Sequence, residues 1–251
     1  MVLGSRNTVV HTQYVPEQED HYSVDFDGTN DYVSIGDVGA IKAGSFWFKS
    51  DETINASGVT RRLMKWYDIG ASNYFGITLG PATGVIDDET LTLMINNQTR
   101  LGTENYTFSN TEWYHVFFAW NSFTVTYSLF INGVAQTNAG SGDGSAQESI
   151  NFTDFNLGRT DASNEFNGTI TDVALWDAEI NGLIAAPILY NGGVPHDPRI
   201  AVGNYSESYV SSLVNYWRMN DGGGTTVEDL VGSNDGTLEN GAAWTNDSPY
   251  N

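Results

Sequence analysis

The sequence predicts an all-β protein in which antiparallel strands pack as two sheets, face to face. Apolar residues recur with period two over short runs, turn residues separate those runs, and hardly any stretch between them has room for a helix. Strands that follow one another at such spacing, without crossover helices, pair antiparallel, and a sandwich buries both inner faces. At 251 residues the chain can bury a large core. Hydrophobic residues at 40% and aromatics at 13%, against only 16% charged, exclude disorder throughout.

The first element is YSVDFDGTNDYVSI, where Tyr22, Val24 and Phe26 alternate. The pattern breaks at Asp27-Gly28-Thr29-Asn30-Asp31 and resumes through Tyr32 and Val33 to Ile35, which reads as two strands around a tight turn. TLTLMI, WYHVFFAW, TVTYSLFI, FNLG and TITDVALW repeat the alternation. WYHVFFAW is apolar on both faces, Trp113, His115, Phe117 and Ala119 on one and Tyr114, Val116, Phe118 and Trp120 on the other, so it belongs at a centre covered from both sides. Asn132-Gly133 between SLFI and VAQT signals a hairpin. AEINGLIAAPILY permits a short helix, whose length Gly182 and Pro187 limit. Leu213 to Met219 reads as a further strand, Gly222-Gly223-Gly224 as a turn and GTLENGAAW as one returning strand, with Trp217 and Trp244 stapling this closing ribbon, 213–251, to the sandwich. The alternative is that residues 213–251 begin a second, truncated repeat. Residues 1–20, with Pro16, Glu17, Glu19 and Asp20, form a leader or a docking arm, and 21–251 one domain.

VDFDGTNDYVSI, GSFWFK, WYHVFFAWN, SLFINGV, NLGRT, FNGTITDVALWDAEI and LYNGG follow the order of the laminin-G-like, or concanavalin A-like, jelly-roll domains, and the chain resembles that family over about residues 21–193. The order of these segments carries the resemblance, because each alone is only a strand edge and a turn. It implies a jelly-roll sandwich. It does not fix function, since the family includes lectins, pentraxin-like calcium binders, glycosidases, lyases and structural modules. The YWRM…DG…DGT segment after LYNGG further resembles bacteriophage and marine environmental proteins.

Thirty-one acidic against 10 basic residues give a net charge of −21, which repels phosphate backbones and anionic membranes. Nucleic acid is thereby a poor partner. The carboxylates are spread over many loops, as on a solvated surface. Without cysteine there is neither a disulfide nor a thiolate metal site. The opening has no signal-peptide pattern, and no run is long enough to span a membrane as a helix.

A retaining glycosidase on this fold needs two carboxylates facing each other about 5–5.5 Å apart. On one strand that demands an E-x-D-x-x-E run, which is missing. Asp25, Asp27, Asp172, Asp177 and Glu179 read as structural, Asp27 and Asp172 because the resemblance places them at positions that serve the fold, and the resemblance implies that His115 is a packed residue with a hydrogen-bonded ring. His11, His21 and His196 lack metal-helix spacing or a partnered nucleophile. The expectation is a protein that is not an enzyme.

Calcium is the expected cofactor, since it takes six to eight oxygen ligands that loops can supply, and the resemblance implies calcium in loops at one rim. Asp87, Asp88 and Glu89 form one ligand group, and Asp143 with Asp161 another. Sugar binding needs aromatic faces beside hydrogen-bonding groups, and Trp66, Tyr67, Tyr74 and Tyr106 lie near polar loop residues. The functional expectation is an exposed phage virion protein, a capsid decoration or appendage, binding host-surface glycans. It would sit as a homo-oligomer on a larger assembly, with the N-terminal arm reaching other virion proteins. A secreted or surface carbohydrate-binding module of a bacterium is the alternative, and a glycoside hydrolase or polysaccharide lyase the third.

Overall fold

In the computed structural model the described residues are 21–54, 60–67, 74–80, 89–95, 98–104, 106–121, 126–136, 150–152, 154–158 and 164–251. The arm at residues 1–20 lies outside them. Among the described residues the strands, numbered along the chain, form two large antiparallel sheets. The first runs β11 (Val134–Ala135), β10 (Thr126–Ile131), β9 (Tyr114–Asn121), β4 (Ala43–Ser50), β14 (Asn167–Trp176), β1 (Ser23–Asp27) and β18 (Ala243–Thr245), with β15 (Leu213–Trp217) also paired to β14. The second runs β16 (Thr226–Val227), β17 (Gly236–Glu239), β2 (Tyr32–Gly36), β13 (Asp154–Leu157), β5 (Arg61–Tyr67), β6 (Tyr74–Leu79), β7 (Glu89–Ile95) and β8 (Gln98–Glu104). A small pair, β3 (Gly39–Ile41) and β12 (Ile150–Phe152), lies beside them. This is the antiparallel sandwich expected from the alternation, and the jelly roll that the resemblance implies.

The inner faces supply one core, in which Val24, Phe46, Phe48, Phe118 and Ile170 of the first sheet meet Val33, Leu63, Ile77, Leu93 and Phe155 of the second. Each such buried large side chain contributes about 1.5–3 kcal/mol. A second apolar cluster covers the outer face of the first sheet: Phe117, Phe130 and Trp176 pack under Ala185, Ala186 and Leu189 of helix α1 (Gly182–Tyr190) and under Tyr205 and Tyr216. Strand β9 is therefore buried on both faces, as its two apolar stripes require. Gly182 lets the helix approach, since a Cβ there would lie 2.2 Å from the Phe130 ring.

The expected helix is present, but Pro187 lies inside it rather than ending it. The helix opens at Asn181, whose side chain accepts from the Leu183 N–H, and closes at Asn191 in the left-handed conformation (φ 47°), whose N–H reaches the Pro187 carbonyl. A second short helix, α2 (Glu207–Ser211), precedes β15. The Asn132-Gly133 hairpin joins β10 to β11 with both residues at positive φ (50° and 75°), as a two-residue primed turn demands.

Two expectations about connections are corrected. Strands β1 and β2 do not pair with each other: β1 joins β14 and β18, and β2 joins β13 and β17 in the opposite sheet. The Asp27–Asp31 segment is a corner between sheets, held by the Asp27 N–H on Asp31 Oδ2 (3.0 Å) and the Thr29 N–H on Asp27 Oδ1 (2.8 Å). Likewise GTLENGAAW is two strands. β17 pairs with β2 and β18 with β1, and the chain crosses at Asn240-Gly241. The two corners touch, for Asn240 Nδ2 donates to the Asn30 carbonyl (3.0 Å). Trp217 is wholly buried against Phe155 (ring centroids 5.6 Å) with its indole N–H on the Asn234 carbonyl (2.8 Å), and the Trp244 N–H reaches the Gly224 carbonyl (2.9 Å).

Candidate binding site

The outer face of the second sheet is where polar side chains gather. Core alternation directs Phe155 and Leu157 of β13, Ile77 and Leu79 of β6, and Leu91 and Leu93 of β7 inward, which leaves the intervening positions on the outer face. Strand β5 would break this pattern without its bulge. The register shift between Arg62 and Met64 buries Leu63 and Met64 in succession and sets Lys65 on the outer phase. One register row then crosses the sheet through Thr237, Ser34, Asn156, Lys65, Gly76 and Met94.

Lys65 is only 5% exposed, and burial together with the nearby Arg62 guanidinium lowers its pKa to about 8, against a smaller opposing pull from Asp154. Asn156 Nδ2 donates to Asp154 Oδ1 (3.0 Å), which fixes both groups beside the lysine. Thr78 and Thr92, also on the outer phase, are buried, and the Thr78 hydroxyl meets Met94 Sδ at 3.7 Å. An ammonium, a carboxylate, an amide and hydroxyls thus share a sheet face, with Thr78 and Thr92 closed off from solvent.

The aromatic candidates distribute as follows. Tyr67 pairs with Asp154 on one side and Tyr74 on the other, so these two positions adjoin the Lys65 row. Trp66 takes the register position of the buried Phe155. Tyr106 is half-buried, its ring 4.7 Å from Phe108 and edge-on to Tyr114 at 6.2 Å, and burial raises its hydroxyl pKa. Of the expected calcium ligands, Glu89 opens β7 opposite Glu104. Asp87, Asp88, Asp143 and Asp161 lie outside the described residues, among which no three His, Asp or Glu side chains converge on a metal position. Lys65, Asp154 and Asn156 were not singled out from the sequence. The one signal for the last two is the alternation of DFNL, where polar residues interleave with buried ones.

Of the groups weighed for catalysis, Asp172 and His115 are tied into the fold, whereas Asp177 and Glu179 are exposed. Asp172 sits at positive φ (51°) within the irregular stretch of β14 and accepts from the hydroxyls of Tyr216 (2.6 Å) and Tyr250 (2.8 Å), while burial pushes its carboxyl up to about 6. His115 is wholly buried with Nε2 2.8 Å from Ser45 Oγ, and burial lowers its pKa to about 3, so the ring is neutral. Asp25 is half-buried and its pKa rises through burial and then through the neighbouring carboxylates of Asp51, Asp31 and Asp247.

Solved structures share this fold. A candidate carbohydrate-binding protein from Bacteroides ovatus ATCC 8483 superposes with TM-score 0.56 at 18% identity over 90% of this chain, which spans 60% of that protein's length. The native heptameric SAP-like pentraxin from Limulus polyphemus superposes with TM-score 0.51 at 13% identity, over 68% of this chain and 82% of its own. No curated protein sequence matches the chain. The Laminin_G_3 family model, described as the concanavalin A-like lectin/glucanases superfamily, matches residues 27–182. With more than half its length so matched, and with the two sheets joined as described, the chain belongs to the concanavalin A-like lectin/glucanase superfamily.

Proposed function

We propose that the protein is a glycan-binding module without catalytic activity, and that the outer face of the second sheet, centred on Lys65, holds the sugar. The observation that carries this is the placement of a nearly inaccessible lysine beside a hydrogen-bonded Asp154–Asn156 pair, in register with Tyr67 and Tyr74. A lysine closed off in this way costs stability, and cooperation with a bound polar ligand is a use for it. The Bacteroides ovatus neighbour, itself a candidate carbohydrate-binding protein, supports the reading.

The setting proposed is an exposed phage virion protein, homo-oligomeric on the particle, with residues 1–20 reaching its other proteins. A carbohydrate-binding module of a bacterium accounts for the same face equally well. Recovery of the protein in stoichiometric amounts on purified particles favours the first setting, and its recovery on or around bacterial cells the second. Calcium is proposed as an aid to binding on the chemistry of Asp87, Asp88, Glu89, Asp143 and Asp161, all hard oxygen donors.

The test is binding of labelled protein to a glycan and bacterial-envelope panel, in calcium and in chelator. Saturable binding displaced by a defined sugar, with a component lost in Lys65→Met, supports the module. Binding unchanged in Lys65→Met removes this face from consideration, and release of reducing sugar from any polysaccharide removes the non-catalytic reading.

A further inference from the structure

We infer that the protein has a second saccharide site, on the outer face of the opposite sheet, in the recess of about 340 Å³ between Trp47, Trp113 and Tyr190. The recess forms where the loop before β9, the Asn132 turn, the end of α1 and the segment after β18 meet over β4. Its floor is aromatic. Tyr190 stacks on Trp47 with centroids 5.7 Å apart and planes at 22°. Trp113 forms a wall and is held rigidly: its indole N–H donates to Asp247 Oδ1 (3.1 Å), and Asp247 Oδ2 receives Lys49 Nζ (2.7 Å).

Open hydrogen-bonding groups line the same space. The Trp47 indole N–H, at the wall of the recess, meets no partner among the described residues, whereas those of Trp113, Trp217 and Trp244 each have an acceptor and the open N–H of Trp176 is buried away from this recess. A donor left open at the wall of a recess is matched when a ligand oxygen enters. The Tyr190 hydroxyl is likewise without a partner among the described residues. Asn132 spends its side-chain oxygen on the His115 N–H (2.8 Å) and so keeps its amide N–H groups for the recess, and Glu112 offers an exposed carboxylate at the rim.

Flat apolar surface ringed by single donors and acceptors suits a pyranose, whose C–H face stacks while its hydroxyls are paired. The volume is near the lower end for small-ligand sites, roughly 300–1,000 Å³, which fits one or two sugar rings. Among the described residues lining it, Glu112 brings the one carboxylate side chain and none brings a cation, so the geometry favours a neutral pyranoside over a sialic or uronic acid.

The probe is the full 15N-labelled chain titrated with the methyl glycosides of glucose, galactose, mannose and N-acetylglucosamine, with N-acetylneuraminic acid as the anionic arm. The indole N–H signals are assigned through Trp47→Phe and Trp113→Phe. At least one neutral glycoside is expected to shift the Trp47 signal saturably, with a Kd on the order of millimolar for a ligand of about a dozen heavy atoms. Tyr190→Phe, which keeps the ring and the fold, should weaken that response about tenfold by removing one hydrogen bond. Lys65→Met should leave it intact, which separates this site from the face of the second sheet. A Trp47 signal unmoved by every neutral glycoside, moved only by the anionic sugar, or equally responsive in Tyr190→Phe overturns the inference.

Discussion

Lys65 and Asp172 both hold an ionisable group away from water, and their pH signatures run in opposite directions along the scale. The folded pKa of Lys65 is lowered from 10.5 to about 8. The unfolded chain therefore binds the extra proton between those values, and the stability cost of the buried ammonium is present below pH 8 and relieved as pH rises toward 10.5. Lys65→Met is expected to stabilise the fold at pH 7, by up to about 3 kcal/mol from a shift of this size, while abolishing glycan binding at the face of the second sheet. Urea unfolding beside a binding assay checks both, and a variant that is less stable and still binds overturns the role given to Lys65. In the wild type, binding should decline as pH rises through 8 and the ammonium is lost.

Asp172 has its folded pKa raised from 3.8 to about 6, so its favourable contribution is full when protonated and is lost as pH rises from about 4 to 6. The stability of the wild type relative to Asp172→Asn should fall by up to about 3 kcal/mol across that interval. Parallel denaturation curves at pH 4 and pH 6.5 measure it, and a constant difference contradicts the burial of this charge. The structural role of Asp172 and His115 was legible because both sit inside apolar strand runs. The placement of Lys65 on the outer face was not, because it depends on a bulge in β5 that LMKWY does not announce.

At the scale of elements, alternation revealed most strands and which faces they bury, but not their partners. Val24, Phe26 and Val33 point into one core from opposite sheets, and period two reads the same for a hairpin and for a corner between sheets. Where turn chemistry was explicit it was decisive, as at Asn132-Gly133. Gly133 has φ +75°, and a Cβ there would stand 2.9 Å from Pro187 Cα in helix α1. Gly133→Ala should cost about 1–3 kcal/mol, through backbone strain and displacement of that helix. Gly223→Ala, with nothing within 4 Å and no positive φ, should change stability little. Thermal melts of the two variants make the comparison.

At the scale of the molecule, the charge of −21 shapes how the protein meets an anionic surface. Divalent ions offset such repulsion locally, whereas monovalent salt screens it everywhere. Glycan binding should therefore depend on millimolar calcium more than on a change of sodium chloride, and equal binding in chelator contradicts the calcium proposal. The family was legible in the order of segments. The face proposed to hold sugar was legible only at Tyr67 and Tyr74, since it is assembled from β2, β5, β6, β13 and β17, whose adjacency no local pattern records.

The adjoining corners also impose a timetable on biosynthesis. Val24 pairs with Trp244, and Val33 with Leu238, so strands made among the first of those described find partners more than 200 residues later. At the usual 5–20 residues per second, β1 and β2 leave the ribosome about 10–40 s before the segments that close them. Through that interval the nascent chain carries two strands with open edges, the condition under which edge-to-edge association competes with folding. Arrival of β17 and β18 covers the open edge of each, so association between nascent chains is expected to compete with folding until those strands are made.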